Sequence, residues 1–185
     1  MRLKVMRKQQ NSKMCLVCGL RNPYGIAASF LELENGELLA LFTPREEHQG
    51  YPGVLHGGIV TAILDETIGR AVMIRYPTDI WGMTVEVSVR FRRPAPLGQE
   101  LRVLGRLTRD TRRFFEGTGE LLLPDGQVAA EARGRYMRLP IERITDFDFV
   151  TQEWRVTSSP HDPAEVELPA RAARAAAGEA GSEAP

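Results

Sequence analysis

The chain has few of the residues that announce a function on their own. It holds two cysteines and three histidines among 185 residues, and a structural zinc usually takes four ligands, so a metal site would have to borrow from a second chain. Charge bias is missing too. Twenty-four basic residues balance 24 acidic ones, so no global field marks a partner among nucleic acids or anionic membranes. No uninterrupted apolar run approaches the ~18 residues of a membrane-spanning helix, and the basic first ten residues lack the apolar stretch of a signal peptide. The expectation is a soluble cytoplasmic protein without nucleic-acid or membrane partners. With 43% hydrophobic residues, the length suits one globular domain with tails.

The two cysteines form a single Cys15-x-x-Cys18 pair followed by Gly19. Three readings stand side by side: reduced thiols in a structural turn, a redox pair, and a metal site shared between chains. Further along, residues 25–34 and 37–43 alternate on either side of Asn35-Gly36, which predicts a β-hairpin with a type I′ turn. Residues 44–52 read as a loop. The apolar stretch from His56 to about Arg75 is too long for a strand and apolar nearly all round, which predicts a buried helix stopped by Pro77. Residues 83–92 alternate strictly as a long strand, and 101–108, 113–123 and 128–138 read as three more, separated by short turns. The expected fold class is α+β, with six antiparallel strands wrapped around one long central helix. From Pro160 the composition shifts to Ala, Glu, Arg, Pro and Gly, too poor in large apolar residues to offset chain entropy. Expected boundaries are a flexible basic N-terminus over 1–13, the domain over 14–140, a C-terminal extension over 141–159 and a disordered tail over 160–185. In the extension, Phe147, Phe149 and Trp154 are candidates to pack back on the domain or on a partner chain.

The densest signal is His56-Gly57-Gly58, followed at once by Ile59 to Leu64 and then Asp65-Glu66. A helix start carries unpaired N–H groups and partial positive charge, and glycine lets a ligand approach the backbone. An acid on a buried helix is costly unless paired or hydrogen-bonded, so it asks for a function. At 100° per residue Asp65 shares a face with Thr61, Ile68 and Val72, and Glu66 with Ala62, Gly69 and Met73.

Cys15-x-x-Cys18-Gly19-x-x-Asn22-Pro23-x-Gly25, Gly53 to Gly58 with Asp65 nine positions after His56, and Met83-Thr84 through Phe91-x-x-Pro94 together resemble the hotdog-fold acyl-CoA thioesterases, in particular their PaaI-like, phenylacetate-pathway branch. The resemblance covers about residues 14 to 140. It implies a hydrolase that splits a coenzyme A thioester into carboxylic acid and thiol, without cofactor or metal. It places Asp65 as general base or nucleophile, with Gly57 and Gly58 supplying oxyanion donors. Glu66 is left as a support residue or a solvent-facing acid. His56 either holds the loop and the substrate carbonyl or simply bonds backbone at the helix start. Thr84 matches a position that orients water or the carboxylate. Relatives often carry an amide six residues before the histidine; Gly50 stands there, which makes the adjacent Gln49 a candidate. Arg90, Arg92, Arg93 and Arg113 are candidates for the phosphates of coenzyme A. Val72, Met73 and Trp81 are pocket candidates. The branch also implies a homodimer or homotetramer with the site between subunits. The competing readings are an enoyl-thioester hydratase or dehydratase built on His48 and Glu66, and a non-catalytic acyl-CoA-binding protein.

Overall fold

Asn35-Gly36 reverses the chain between β2 (Ser29–Leu33) and β3 (Leu38–Phe42). The loop is one residue longer than a type I′ turn, because Leu33 N–H donates to Glu37 O at 2.9 Å and only Gly36 takes positive φ, at 78°. Type I′ needs positive φ at both central residues. The structure, a computed structural model, describes residues 1–77, 80–146 and 148–169.

Before the hairpin lies β1 (Arg2–Lys8); after it come a small ribbon of β4 (Gln49–Tyr51) and β5 (Val54–Leu55), and helix α1 (Gly57–Arg70). The helix is shorter than expected. Its last turn tightens into a 3-10 segment, Ala71–Ile74, so the apolar stretch continues without the α-helical ladder. Then follow β6 (Trp81–Phe91), β7 (Leu101–Asp110), β8 (Phe114–Leu122), β9 (Val128–Leu139) and, near the end, β10 (Glu165–Glu167).

All but β4 and β5 join one antiparallel sheet in the order β10-β1-β2-β3-β7-β8-β9-β6. The six expected strands form its unbroken run from β2 to the β6 edge, and the expected six-stranded sheet is corrected to eight strands. The two additions come from segments read as flexible: β1 pairs with β2, and β10 pairs with β1 through Arg2↔Glu167 and Lys4↔Glu165. The cause is a second apolar face. Leu3, Val166 and Leu168 bury with Leu31, Leu33, Leu39, Leu104 and Leu122 on the side of the sheet away from α1. A few inward leucines and valines suffice there, too few to show as periodicity. Most of the tail, 170–185, lies outside the described residues, as does Phe147.

The front face holds the main core, in which Ile63, Leu64 and Ile68 of α1 are fully buried against Phe30, Val103, Phe115 and Leu121. The helix comes unusually close to the sheet. A Cβ on Gly105 would meet Thr67 O at 2.8 Å, one on Gly117 would meet Ile68 Cγ2 at 2.6 Å, and one on Gly119 would meet Ile68 Cγ1 at 3.0 Å. From the C-terminal extension, Trp154 and Phe149 pack on Trp81 at ring distances of 5.0 and 6.3 Å.

Candidate functional site

His56 is the N-cap of α1. Its extended backbone (φ −64°, ψ 135°) turns the ring back so that Nδ1 accepts from Gly58 N–H at 2.9 Å. That bond spends the Gly58 donor. The Gly57 N–H is the one at this helix start not taken by the cap, and the segment is exposed. Phe91 lies beside it, since a Cβ on Gly57 would meet that ring at 3.5 Å.

The preceding loop is held by His48, which is 2% exposed. Nδ1 accepts from Arg45 N–H at 3.0 Å, Nε2 faces Tyr24 O at 3.1 Å, and its own carbonyl accepts from His56 N–H at 2.9 Å. With both ring nitrogens committed to backbone, His48 is unfit as the acid or base of a hydratase. Gly50 packs against His56, at 3.1 Å from its Cα to a hypothetical Cβ. A longer side chain there would push the cap aside. Gln49 is exposed in β4, and among the described residues its side chain makes no bond to Asp65.

Asp65 sits on the face of α1 turned toward β6 and β9. Thr84 Oγ1 donates to its carboxylate, 3.0 Å from Oδ1 and 3.1 Å from Oδ2, and Tyr136 Oη donates to Oδ1 at 3.0 Å. The register of β6 with β9 slips between Thr84 and Glu86. Such a bulge re-aims a side chain, here at the helix. Burial raises the Asp65 pKa above its ordinary 3.8; the Thr84 and Tyr136 hydroxyls pull it back, and the Glu66 charge adds to the rise. Tyr136 is itself pushed up, first by burial and then by the Asp65 charge, so it stays a donor.

Tyr136 was absent from the sequence-based site. Its signal lay in β9, whose inward positions Ala130, Ala132 and Gly134 are all small before this one large residue with a polar tip. A buried phenol needs a partner. The ring stacks on Phe115 at 4.9 Å and 11° and fills the space that Cβ atoms on Gly69 and Gly134 would occupy.

Glu66 borders the same cavity as Asp65 but is tied to a different partner. Its Oε1 accepts from Arg70 Nε at 2.7 Å, and Arg70, 5% exposed, also reaches Gln10 O at 3.0 Å and Cys18 Sγ at 3.2 Å beneath the ring of Phe30. The Glu66 carboxylate is thus committed to an ion pair with Arg70. A cavity of about 130 Å³ opens beside Asp65, walled by Gly69, Met73, Trp81, Thr84, Tyr136 and Trp154. Val72, fully buried, is not on its wall.

The arginines do not converge. Arg90 and Arg93 are exposed at the Gly57 end of β6, whereas Arg92 is held by Glu131 at 3.1 Å with a side chain only 12% exposed. Arg113 lies at the far end, where its carbonyl accepts from Arg138 N–H, the register partner of Gly82. Removing the Tyr136 donor sharpens the electrostatic picture. Tyr136→Phe takes away a bond that favours ionised Asp65, so the Asp65 carboxyl is expected to titrate at higher pH than in the wild type, as NMR of its side chain would show; an unmoved titration would overturn that bond's role.

Residues 52–130 match the model of a family described as the thioesterase superfamily. An acyl-coenzyme A thioesterase of Bos taurus, THEM4, is 24% identical over 123 residues, 64% of this chain and 49% of its own. A thioesterase superfamily protein of known crystal structure is 29% identical over 67% of this chain and 63% of its own, with a TM-score of 0.61. The E. coli PaaI protein from the phenylacetic acid degradation operon, 15% identical over 62% of this chain and 80% of its own, has a TM-score of 0.56 and shares the fold. The chain spans 63% and 49% of the lengths of the first two curated relatives it matches. Among the described residues no helix is long and apolar enough to cross a membrane.

Proposed function

We propose that this chain, whose residues 52–130 match the thioesterase superfamily model and whose fold is similar to that of PaaI, is a PaaI-like acyl-CoA thioesterase of the cytoplasm. It hydrolyses a coenzyme A thioester to a carboxylic acid and free thiol. The observation that carries the reading is the Asp65 carboxylate, half-buried on the helix and gripped by two hydroxyl donors 3.0 Å away. Asp65 directs water at the thioester carbon as general base, or attacks it as nucleophile. The Gly57 N–H stabilises the charge that develops on the carbonyl oxygen, a type of contact worth on the order of 10²–10³ in kcat.

Gly57 and Asp65 stand eight positions apart on one helix, about 12 Å along its axis. A thioester carbon near the carboxylate and an oxygen about 3 Å from the Gly57 donor do not fit across that gap. The working site therefore combines Asp65 of one protomer with Gly57 of another. The edge strand β6 suits this, because Val85 and Phe91 are 52% and 54% exposed beside an unpaired ladder. The enzyme is accordingly a homodimer or a dimer of dimers. Arg90 and Arg93, exposed near Gly57, are the better placed of the proposed contacts to coenzyme A phosphates.

Thiol release from a panel of acyl-CoAs, monitored beside light scattering for mass, is the test. Release by a dimer or tetramer is expected. Binding without release would make the chain an acyl-CoA-binding protein, and an active monomer would overturn the shared site.

A further inference from the structure

The Cys15-x-x-Cys18 turn has no part in the proposed hydrolysis, yet its geometry is specific. Gly19 N–H closes it onto Cys15 O at 2.9 Å, and a Cβ on Gly19 would collide with the Met14 and Cys15 backbone. Both thiols are free, and their sulfurs and a Glu66 carboxylate oxygen all lie within 4.8 Å of one another. The two sulfurs have opposite surroundings. Cys15 is half-buried and accepts the N–H groups of Val17 at 3.3 Å and Cys18 at 3.4 Å. Cys18 is fully buried, 3.3 Å from Ser12 Oγ and 3.2 Å from the Arg70 guanidinium. A metal ion is a poor occupant here, because Arg70 already places a buried positive charge against both Cys18 and Glu66.

We propose that Cys15 and Cys18 form a thiol–disulfide exchange site that reacts with low-molecular-weight disulfides, Cys15 attacking and Cys18 resolving. The Cys15 thiolate attacks one sulfur of the small disulfide, whose S–S bond breaks to release one thiolate that takes up a proton. The Cys18 thiol then loses its proton, attacks the Cys15 sulfur of the mixed disulfide and expels the second small thiol. Two protein thiols are oxidised to one disulfide, and one small disulfide is reduced to two thiols. The division of labour follows the surroundings. Bonding to Cys18 lowers the Cys15 thiol to about 7, against burial and the Glu66 charge, while Cys18 is pushed up by the same bond and by burial. An attacking thiol works best with its pKa near ambient pH and an open approach.

The full-length protein is incubated with glutathione disulfide and followed by mass spectrometry with peptide mapping. Wild type is expected to lose two hydrogens and become resistant to alkylation at both cysteines. Cys18→Ser is expected to trap one glutathionyl group on Cys15, and Cys15→Ser to react about tenfold more slowly or less, its remaining thiol being buried and protonated. Alkylation of Cys15 in the wild type should reach half its maximal rate near pH 7. Wild-type thiols that both stay alkylatable overturn the proposal, as does an adduct that gathers on Cys18. Stoichiometric zinc that shields both thiols until chelation overturns it too. The wild-type and zinc measurements stand even if a variant misfolds.

Discussion

On the proposed function, Asp65→Asn is expected to lower kcat for acyl-CoA hydrolysis by about 10²–10⁴-fold, the usual contribution of a positioned base, while the protein stays folded. Asn keeps the shape of the carboxylate and can still accept from Thr84 and Tyr136, so the loss belongs to chemistry. The stability change runs the opposite way at neutral pH. Because the folded-state pKa is raised from 3.8, folding favours the protonated form, and ionisation costs stability as pH rises through the unfolded value toward the folded one. Above that window Asn relieves the cost, so its melting temperature equals or exceeds that of the wild type; below pH 3.8 the advantage disappears. Thiol release and thermal melts at pH 7 and at acid pH check both halves. Glu66→Gln retains an acceptor for Arg70 and keeps most of the activity. Were Gln at 66 inactive and Asn at 65 fully active, the carboxylate assignment would be reversed.

Glu66→Leu produces the largest stability effect, a loss of about 3–5 kcal/mol, because it strands a deeply buried guanidinium. The Arg70 side chain is 6% exposed and that of Glu66 27%. Arg70→Met is milder, since the remaining carboxylate can turn toward solvent. The double replacement recovers most of the loss, as buried pairs exchanged for apolar residues often do. Denaturant unfolding of the four proteins gives the coupling directly. Equal stability for Glu66→Leu and the wild type would show that the pair contributes nothing.

The two replacements also mark what was legible in the chain. Strict alternation over 83–92 announced β6, because this strand places one face on the core. The helix start at His56-Gly57 was equally plain, since cap and glycines stand together. Tyr136 and Arg70 were not, for a shared reason: both are polar ends on largely buried side chains, and only tertiary neighbours decide where such an end goes. Glu66 and Arg70 lie at helical i,i+4 spacing, a pairing that was available from sequence. What spacing could not supply was the burial that turns an ordinary surface pair into the floor beneath Cys18. Strands β1 and β10 escaped because their inward residues complete a face the helix never touches.

Three missing methyl groups govern the reach of Asp65. The carboxylate rides on α1, whereas the hydroxyls that grip it ride on β6 and β9, so their meeting depends on the clearance between two separate bodies. Gly105, Gly117 and Gly119 set that clearance from underneath. A Cβ on Gly105, which would meet the Thr67 backbone at 2.8 Å, acts as a shim that lifts the helix and draws the carboxylate away from Thr84 and Tyr136. The gap at Asp65 is thus set deeper in the same helix–sheet seam, by glycines of β7 and β8 that face α1.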